Sequence, residues 1–254
     1  MEGKEKLNKE LFGLVGKNIS YSFSKGYFSD KFRNLQLINH EYVNFDIDKI
    51  EDLLSLINQF KATLKGFNVT IPYKQSIFNY LDEVDATANE IGAVNTVKLT
   101  NNGKLIGYNS DVVGFEKSIL PLLKKHHTKA LILGTGGASK AVGFVLKKLK
   151  IDFYKVSRNP IENREISYSE ISEKLLKEHT IIINSSPLGT FPNIDQKPSI
   201  PYQFLTKKHL LFDLIYNPAE TAFLIEGKKQ GAQIKNGFEM LELQAEESWR
   251  IWNK

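Results

Sequence analysis

Gly134-Thr135-Gly136-Gly137 follows an apolar run, Leu131 to Leu133, and precedes apolar residues at helical spacing: Ala138, Ala141, Val142, Val145, Leu146 and Leu149. Glycines let the backbone approach an anion, and the first N–H groups of a helix point at it, so this stretch suits a pyrophosphate. Lys147, Lys148 and Lys150 fall where a helix end favours cations. The match to G-x-G-x-x-G is incomplete, because Ser139 occupies the third glycine's place. Ile151 to Ser157 reads as the next strand, and Arg158 follows it. An NAD site would carry Asp or Glu there for the ribose 2′-OH, whereas an arginine suits the 2′-phosphate of NADP. The competing reading is a plain strand–turn–helix with a surface arginine.

A second set of candidates lies nearer the N-terminus. Ser22 and Ser24 stand two apart, so an extended loop would turn both hydroxyls to one side, toward a substrate with several hydroxyls or a carboxylate. Capping of the next helix is the simpler role for them. In Gly66 to Lys74, apolar and polar residues alternate, which puts Asn68 and Thr70 on one face of a strand and Phe67, Val69 and Ile71 on the other. Pro72 ends that strand. Lys74 lies just past it, where open α/β sheets gather their active-site groups, although an ordinary solvated lysine would look the same. Ser110 and Asp111 open a helix, where either can serve as a cap.

The elements that must position these residues follow from periodicity. Strands are expected at Leu11 to Val15, within His40 to Asp46, around Phe67 to Ile71, and in a hairpin turning at Asn101-Asn102-Gly103. Helices are expected over Tyr27 to Asn39, Lys49 to Phe60 (capped by Asp48), Asp82 to Glu90 and Val112 to Leu123. From about Ala130 the order reads β-α-β-(α)-β-β-α-β, with strands at Thr180 to Asn184, Leu210 to Tyr216 and Ile234, and a last helix from Gly237. That is an α/β chain with two α/β domains. Residues 1–108 form one, and 109–237 form a doubly wound parallel unit, joined by a tight hinge near Asn109 and Gly237.

Composition narrows the classes. The 254 residues are 41% apolar, enough for a sizeable core, and the formal charge of +5 comes from scattered lysines rather than a nucleic-acid-binding patch. With no cysteine and five histidines lacking ligand spacing, no metal site is expected. The start, MEGKEKLNKE, has no apolar signal core, and no apolar run approaches a membrane span, so a cytoplasmic protein that binds neither nucleic acid nor membrane is expected.

Taken together, several stretches resemble the shikimate dehydrogenase family over nearly the whole chain. They are Ser22-Phe23-Ser24, Asn68 to Lys74 (NVTIPYK), Gly92 to Thr96 (GAVNT), Gly107 to Asp111, the Gly134 to Ala141 loop, Asn184 to Pro187, Asp213 to Pro218, and Gly237 with Gln244. The resemblance implies an oxidoreductase that reversibly reduces 3-dehydroshikimate to shikimate with NADPH, on the route to chorismate and the aromatic amino acids. It implies a Rossmann-like second domain, with the last helix, 238–254, returning to the first. It places Ser22, Ser24, Asn68, Thr70, Lys74, Asn95, Asp111, Tyr216 and Gln244 at the substrate, with Lys74 and Asp111 catalytic. It places Gly134, Thr135, Gly136, Gly137, Ala138, Ser157, Arg158, Asn184, Ser186 and Gly237 at NADP, in a monomer or homodimer. The chain departs from the family pattern at Tyr21 (usually His), Lys25 (usually Pro), Ser110 (usually Thr), Ser157 (often Asn) and Asn159 (often Thr). The alternatives are a quinate/shikimate dehydrogenase with relaxed NAD/NADP use, a methylene-tetrahydrofolate dehydrogenase, and a nucleotide-sensing relative without catalysis.

Overall fold

The computed structural model describes residues 9–20 and 22–254. Residues 1–8 and Tyr21, with the departure noted at that position, lie outside the described residues. The strands are β1 (Glu10–Gly16), β2 (His40–Asp46), β3 (Leu64–Val69), β4 (Glu83–Val84), β5 (Thr96–Leu99), β6 (Leu105–Tyr108), β7 (Lys129–Leu133), β8 (Asp152–Ser157), β9 (Glu165–Ser167), β10 (Ile181–Asn184), β11 (Leu210–Asp213) and β12 (Gln233–Lys235). The helices are α1 (Phe23–Asn34), α2 (Leu53–Phe60), α3 (Ala86–Ile91), α4 (Asp111–Ile119), α5 (Gly137–Lys148), α6 (Glu173–Glu178), α7 (Ala222–Lys229) and α8 (Phe238–Trp252). The chain divides into two compact units: the described residues through Ser110 with Glu247–Lys254, and Asp111–Glu246.

The first unit is built on a six-stranded sheet of order β2-β1-β3-β5-β6-β4. β1 pairs in parallel with both β2 and β3, while β3 with β5 and β5 with β6 are antiparallel. One crossover runs from β1 to β2 and the next returns past β1 to β3, so the carboxyl ends of β1 and β3 flank a topological switch point, where α/β sheets bind ligands. Leu11, Val15, Phe67, Val69, Ile77, Val94 and Val97 are among its buried core. The end of α8 returns to this sheet: Trp252 Nε1 donates to the Val97 carbonyl (3.0 Å), and the Trp249 and Trp252 rings pack on Phe12.

The second unit carries a fully parallel sheet of order β12-β11-β10-β7-β8-β9. The order runs outward in both directions from β7, as in doubly wound dinucleotide-binding sheets, and the switch point lies between β7 and β10. The central strands β7, β10 and β11 are largely apolar runs because both faces are covered, and Leu131, Ile132, Leu133, Ile181, Ile182 and Ile183 have no exposed surface.

Several boundaries move for local reasons. α1 begins at Phe23 rather than Tyr27, because the Ser22 hydroxyl accepts from Ser24 N and starts the helix early. Asp48 caps nothing there. A 3₁₀ turn from Ile50 follows Lys49, and α2 starts only at Leu53. Asp85 caps α3 by accepting from Thr87 N and Ala88 N, so the acidic segment before it stays outside the helix. α4 ends at Ile119, since Pro121 can only join a following 3₁₀ turn. β11 stops at Asp213, whose carboxylate folds back onto Ile215 N (3.0 Å). β9 is an addition: three half-buried edge residues have no periodicity to announce them.

Candidate active site

In the first unit the strand ends do the collecting. The Ser22–Ser24 segment leaves the carboxyl end of β1, and Thr70 and Lys74 leave that of the adjacent parallel β3. β5 runs the other way, so its amino end, Thr96, pairs with Asn68 and brings Asn95 to the same edge. β6 runs back and ends at Tyr108 opposite Thr96, so Asn109 and Ser110 arrive there too. Topology thus gathers Ser22, Ser24, Asn68, Thr70, Lys74 and Asn95 at one edge of one sheet. The Lys74 carbonyl accepts from Val94 N (2.8 Å), which ties the lysine turn to the GAVNT loop. Lys74 itself is half-buried, as are Ser22, Ser24 and Thr70.

Beneath that edge lies a buried polar network. The Tyr42 hydroxyl donates to Asn68 Oδ1 (2.9 Å). Asn68 Nδ2 reaches the Asn95 carbonyl (3.2 Å), Thr96 Oγ1 (3.2 Å) and Ser248 Oγ (2.8 Å). The hydroxyls of Thr96, Ser110 and Ser248 form a triangle with sides of 3.0, 2.9 and 3.1 Å. Asn95 Oδ1 accepts from Ser110 N (2.7 Å), which fixes that end of the amide as the oxygen and Nδ2 as the donor. Burial pushes the Tyr42 phenol well above its ordinary pKa, against the opposing pull of a hydrogen bond with the Ser24 hydroxyl. Asn68, expected at the substrate, spends both ends of its side chain inside this network and is 5% exposed. Tyr42, Thr96 and Ser248 carried no functional expectation. The legible signal for Ser248 was a hydroxyl in the stripe that otherwise holds Leu241, Ala245 and Trp252.

Asp111 is the first residue of α4 and is buried. In the same unit Gln244 lies on α8, and its amide donates to the Leu241 carbonyl (3.0 Å). Gly114 on α4 is bare where Met240 and Gln244 of α8 press against it. Tyr216 follows β11 and is half-buried.

The cofactor candidates collect at the carboxyl edge of the parallel sheet. Gly134 has φ +114°, a conformation open to glycine, and its N–H donates to the Val156 carbonyl of β8 (2.9 Å). Gly136 caps α5 with no side-chain hydrogen bond, and a Cβ there would stand in open space. The turn is therefore a cradle in which the first N–H groups of α5, from Gly137 and Ala138, meet no side-chain cap. Arg158 is exposed, two residues past the strand position that holds Gly134, and forms no ion pair among the described residues. A bare glycine turn, an uncapped helix start and an unengaged guanidinium fit a dinucleotide with a 2′-phosphate. Ser157 Oγ accepts from Asn159 N (3.2 Å), shaping the Arg158 turn.

Across the switch point, Asn184 is fully buried. Its Nδ2 donates to Asp213 Oδ1 (3.0 Å) and the Leu188 carbonyl (3.3 Å), and its Oδ1 accepts from Ser186 N (3.1 Å) and Ser186 Oγ (2.6 Å). The Asn184 side chain thus holds the Ser185 to Leu188 loop beside the cradle. Asp213 also accepts from Thr221 Oγ1 (2.6 Å), and burial lifts its carboxyl to about 6. Gly237 is demanded by packing, since a Cβ would run into the Leu214 carbonyl. Among the described residues no group of His, Asp and Glu could hold a metal, and no helix is long and apolar enough to cross a membrane.

Comparison with known proteins agrees with both halves. The family model for the shikimate dehydrogenase substrate binding domain matches residues 14–97. The NADP(+) shikimate dehydrogenase of Methanococcus maripaludis is 42% identical over 96% of this chain and 91% of its own. A crystal structure of a shikimate dehydrogenase in complex with NADP+ superposes with a TM-score of 0.81 at 35% identity, covering 96% of this chain and 90% of that one. The Thermus thermophilus enzyme, solved with NADP(H) and shikimate, gives a TM-score of 0.83 at 26% identity, covering 96% and 93%. With that likeness sustained across both units, the chain belongs to the shikimate dehydrogenase family.

Proposed function

We propose that this chain catalyses the reversible reduction of 3-dehydroshikimate to shikimate with NADPH. The observation that carries the reading is the convergence of Ser22, Ser24, Thr70, Lys74 and Asn95 on one sheet edge, in a chain that also holds a cradle for NADP. When bound, NADPH supplies the hydride. Lys74 supplies the proton to the oxygen of the reduced carbonyl, donating as an ammonium to the developing alkoxide. Asp111 accepts from a neighbouring substrate hydroxyl.

Ser22, Ser24, Thr70, Asn95, Tyr216 and Gln244 bind the remaining hydroxyls and the carboxylate. A site built from such groups rejects analogues that leave them unpaired. Asn95 serves as a donor, because its oxygen is engaged by Ser110 N. Asn68 acts one layer down, holding Asn95 and Thr96. The N–H groups of the Gly134 to Ala138 turn take the pyrophosphate, Arg158 the 2′-phosphate, and Ser186 and Gly237 line the same edge. Asn184 positions Ser186. No residue here is asked to hold a metal, and the enzyme works as a monomer or homodimer.

Absorbance at the NADPH band tests the reading, with shikimate or quinate offered against NADP+ or NAD+. Shikimate with NADP+ gives the largest kcat/KM. Equal or greater turnover of quinate, or of NAD+, would overturn the stated substrate or cofactor.

A further inference from the structure

We propose that Ser248, on the last turns of α8, is a positioning residue for the substrate site, acting through Thr96 and Ser110 on Asn95. The proposal rests on the reading of Asn95 as a substrate ligand.

Ser248 has no exposed surface, yet it sits in the stripe with which α8 meets the first sheet, between Ala245 and Trp252. Alanine is the better helix former there, and burying a hydroxyl costs free energy unless it is hydrogen-bonded. The hydroxyl's partners include Asn68 Nδ2 on β3, Thr96 Oγ1 on β5, and Ser110 Oγ just past β6. It therefore pins three strand ends at one point. Each lies next to a site residue. Thr96 follows Asn95, Ser110 precedes Asp111, and Asn68 is two residues before Thr70 on the same face.

The network also dictates polarity. Asn68 Nδ2 reaches the Asn95 carbonyl, an acceptor only, so Asn68 Oδ1 faces Tyr42 and takes the phenol proton. Asn68 Nδ2 donates to the Ser248 oxygen, and the Thr96 and Ser110 hydroxyls lie 2.9 and 3.1 Å from that oxygen. Those two hydroxyls lie 3.1 and 3.2 Å from Asn95 Oδ1, the oxygen already held by Ser110 N. This ring of donors keeps Asn95 Oδ1 turned inward and sets Nδ2 as the opposite end of the amide. Without the Ser248 hydroxyl, Asn68 Nδ2 loses its shortest acceptor, and Thr96 and Ser110 each lose one of the partners they share.

The test is steady-state kinetics on the full chain with Ser248→Ala, Ser248→Cys, Asn95→Ala and the Asn95→Ala/Ser248→Ala pair, with thermal unfolding of each. Ser248→Ala lowers kcat/KM for shikimate by about tenfold, the size of one lost buried hydrogen bond, while KM for NADP+ stays within about twofold. Ser248→Cys, with a weak donor of similar size, falls between Ser248→Ala and the parent. In the Asn95→Ala background, Ser248→Ala costs no further kcat/KM, because the group it positions is gone. A purely structural serine would lower the melting temperature and leave kcat/KM of the folded enzyme intact. Unchanged kcat/KM in both single Ser248 variants, or a full additive loss in the double variant, would overturn the proposal. If Asn95→Ala alone retained full shikimate turnover, the assignment of Asn95 would fail instead, and the two failures are distinguishable.

Discussion

One carboxylate and one guanidinium carry the most exposed claims at the residue scale. Asp111 opens α4, so a cap is its simplest use, and asparagine caps as well as aspartate. Asp111→Asn therefore separates the roles: the proposed mechanism predicts a folded protein with kcat reduced by roughly 10²-fold or more, whereas a cap alone predicts near-parental turnover. Arg158 is exposed at the end of β8, and no acid holds it among the described residues. Arg158→Ala should weaken NADP+ by about 1.5–3 kcal/mol while hardly moving NAD+, read from fluorescence titration of both cofactors. Equal weakening of the two would show that Arg158 does not read the 2′-phosphate. The residues behind these predictions were legible because their types are chemically conspicuous at strand ends. Asn68 was legible as polar but not in its direction, since alternation gives a face without saying whether β5 and α8 will cover it. Ser248 was legible only as a hydroxyl in an apolar stripe, because only the return of α8 to the first sheet shows what that hydroxyl meets.

At the scale of elements, the parallel sheet came through clearly from its apolar runs and glycine turn, and the losses were at boundaries. Ser22 and Asp85 start helices through their side chains, and the competition between capping and continued helix is settled by a few local hydrogen bonds. The ends of β10 and β11 illustrate what such local bonds do for a site. Asn184 and Asp213 pair across these strands and shape the loops that follow. Asp213 has no exposed surface, and burial raises its carboxyl to about 6 although three hydrogen bonds favour the ionised form. A folded-state pKa above the unfolded value means that the native chain keeps this proton longer, so ionisation costs stability. That cost is absent below about pH 4, grows as pH rises to about 6, and then stays constant at about 3 kcal/mol. Relative to the parent, Asp213→Asn should therefore lose its stability deficit, or gain a relative advantage, as pH rises through that window in urea titrations. Parallel pH profiles for the two proteins would show that Asp213 titrates alike in the folded and unfolded chains.

At the scale of the whole molecule, the proposed ligands divide between the two units. The proposed shikimate groups sit mainly on the edge of the first sheet and the cofactor groups on the edge of the second, and the chain passes between units at Ser110–Asp111 and Glu246–Glu247. Hydrogen exchange should follow that division. Shikimate slows exchange around Ser24, Lys74 and Thr96, NADP+ slows it around Gly136, Ala138 and Ser186, and protection by NADP+ confined to the first unit would contradict the assignment. The central claim is that this fold reduces 3-dehydroshikimate with Lys74 as the proton donor. Its most direct test is the rate of NADPH oxidation by 3-dehydroshikimate in the parent and in Lys74→Ala, with both shown to be folded. Lys74→Ala should lower kcat by roughly 10²–10⁴-fold, with KM changed less. A folded Lys74→Ala protein turning over at the parental rate would contradict it.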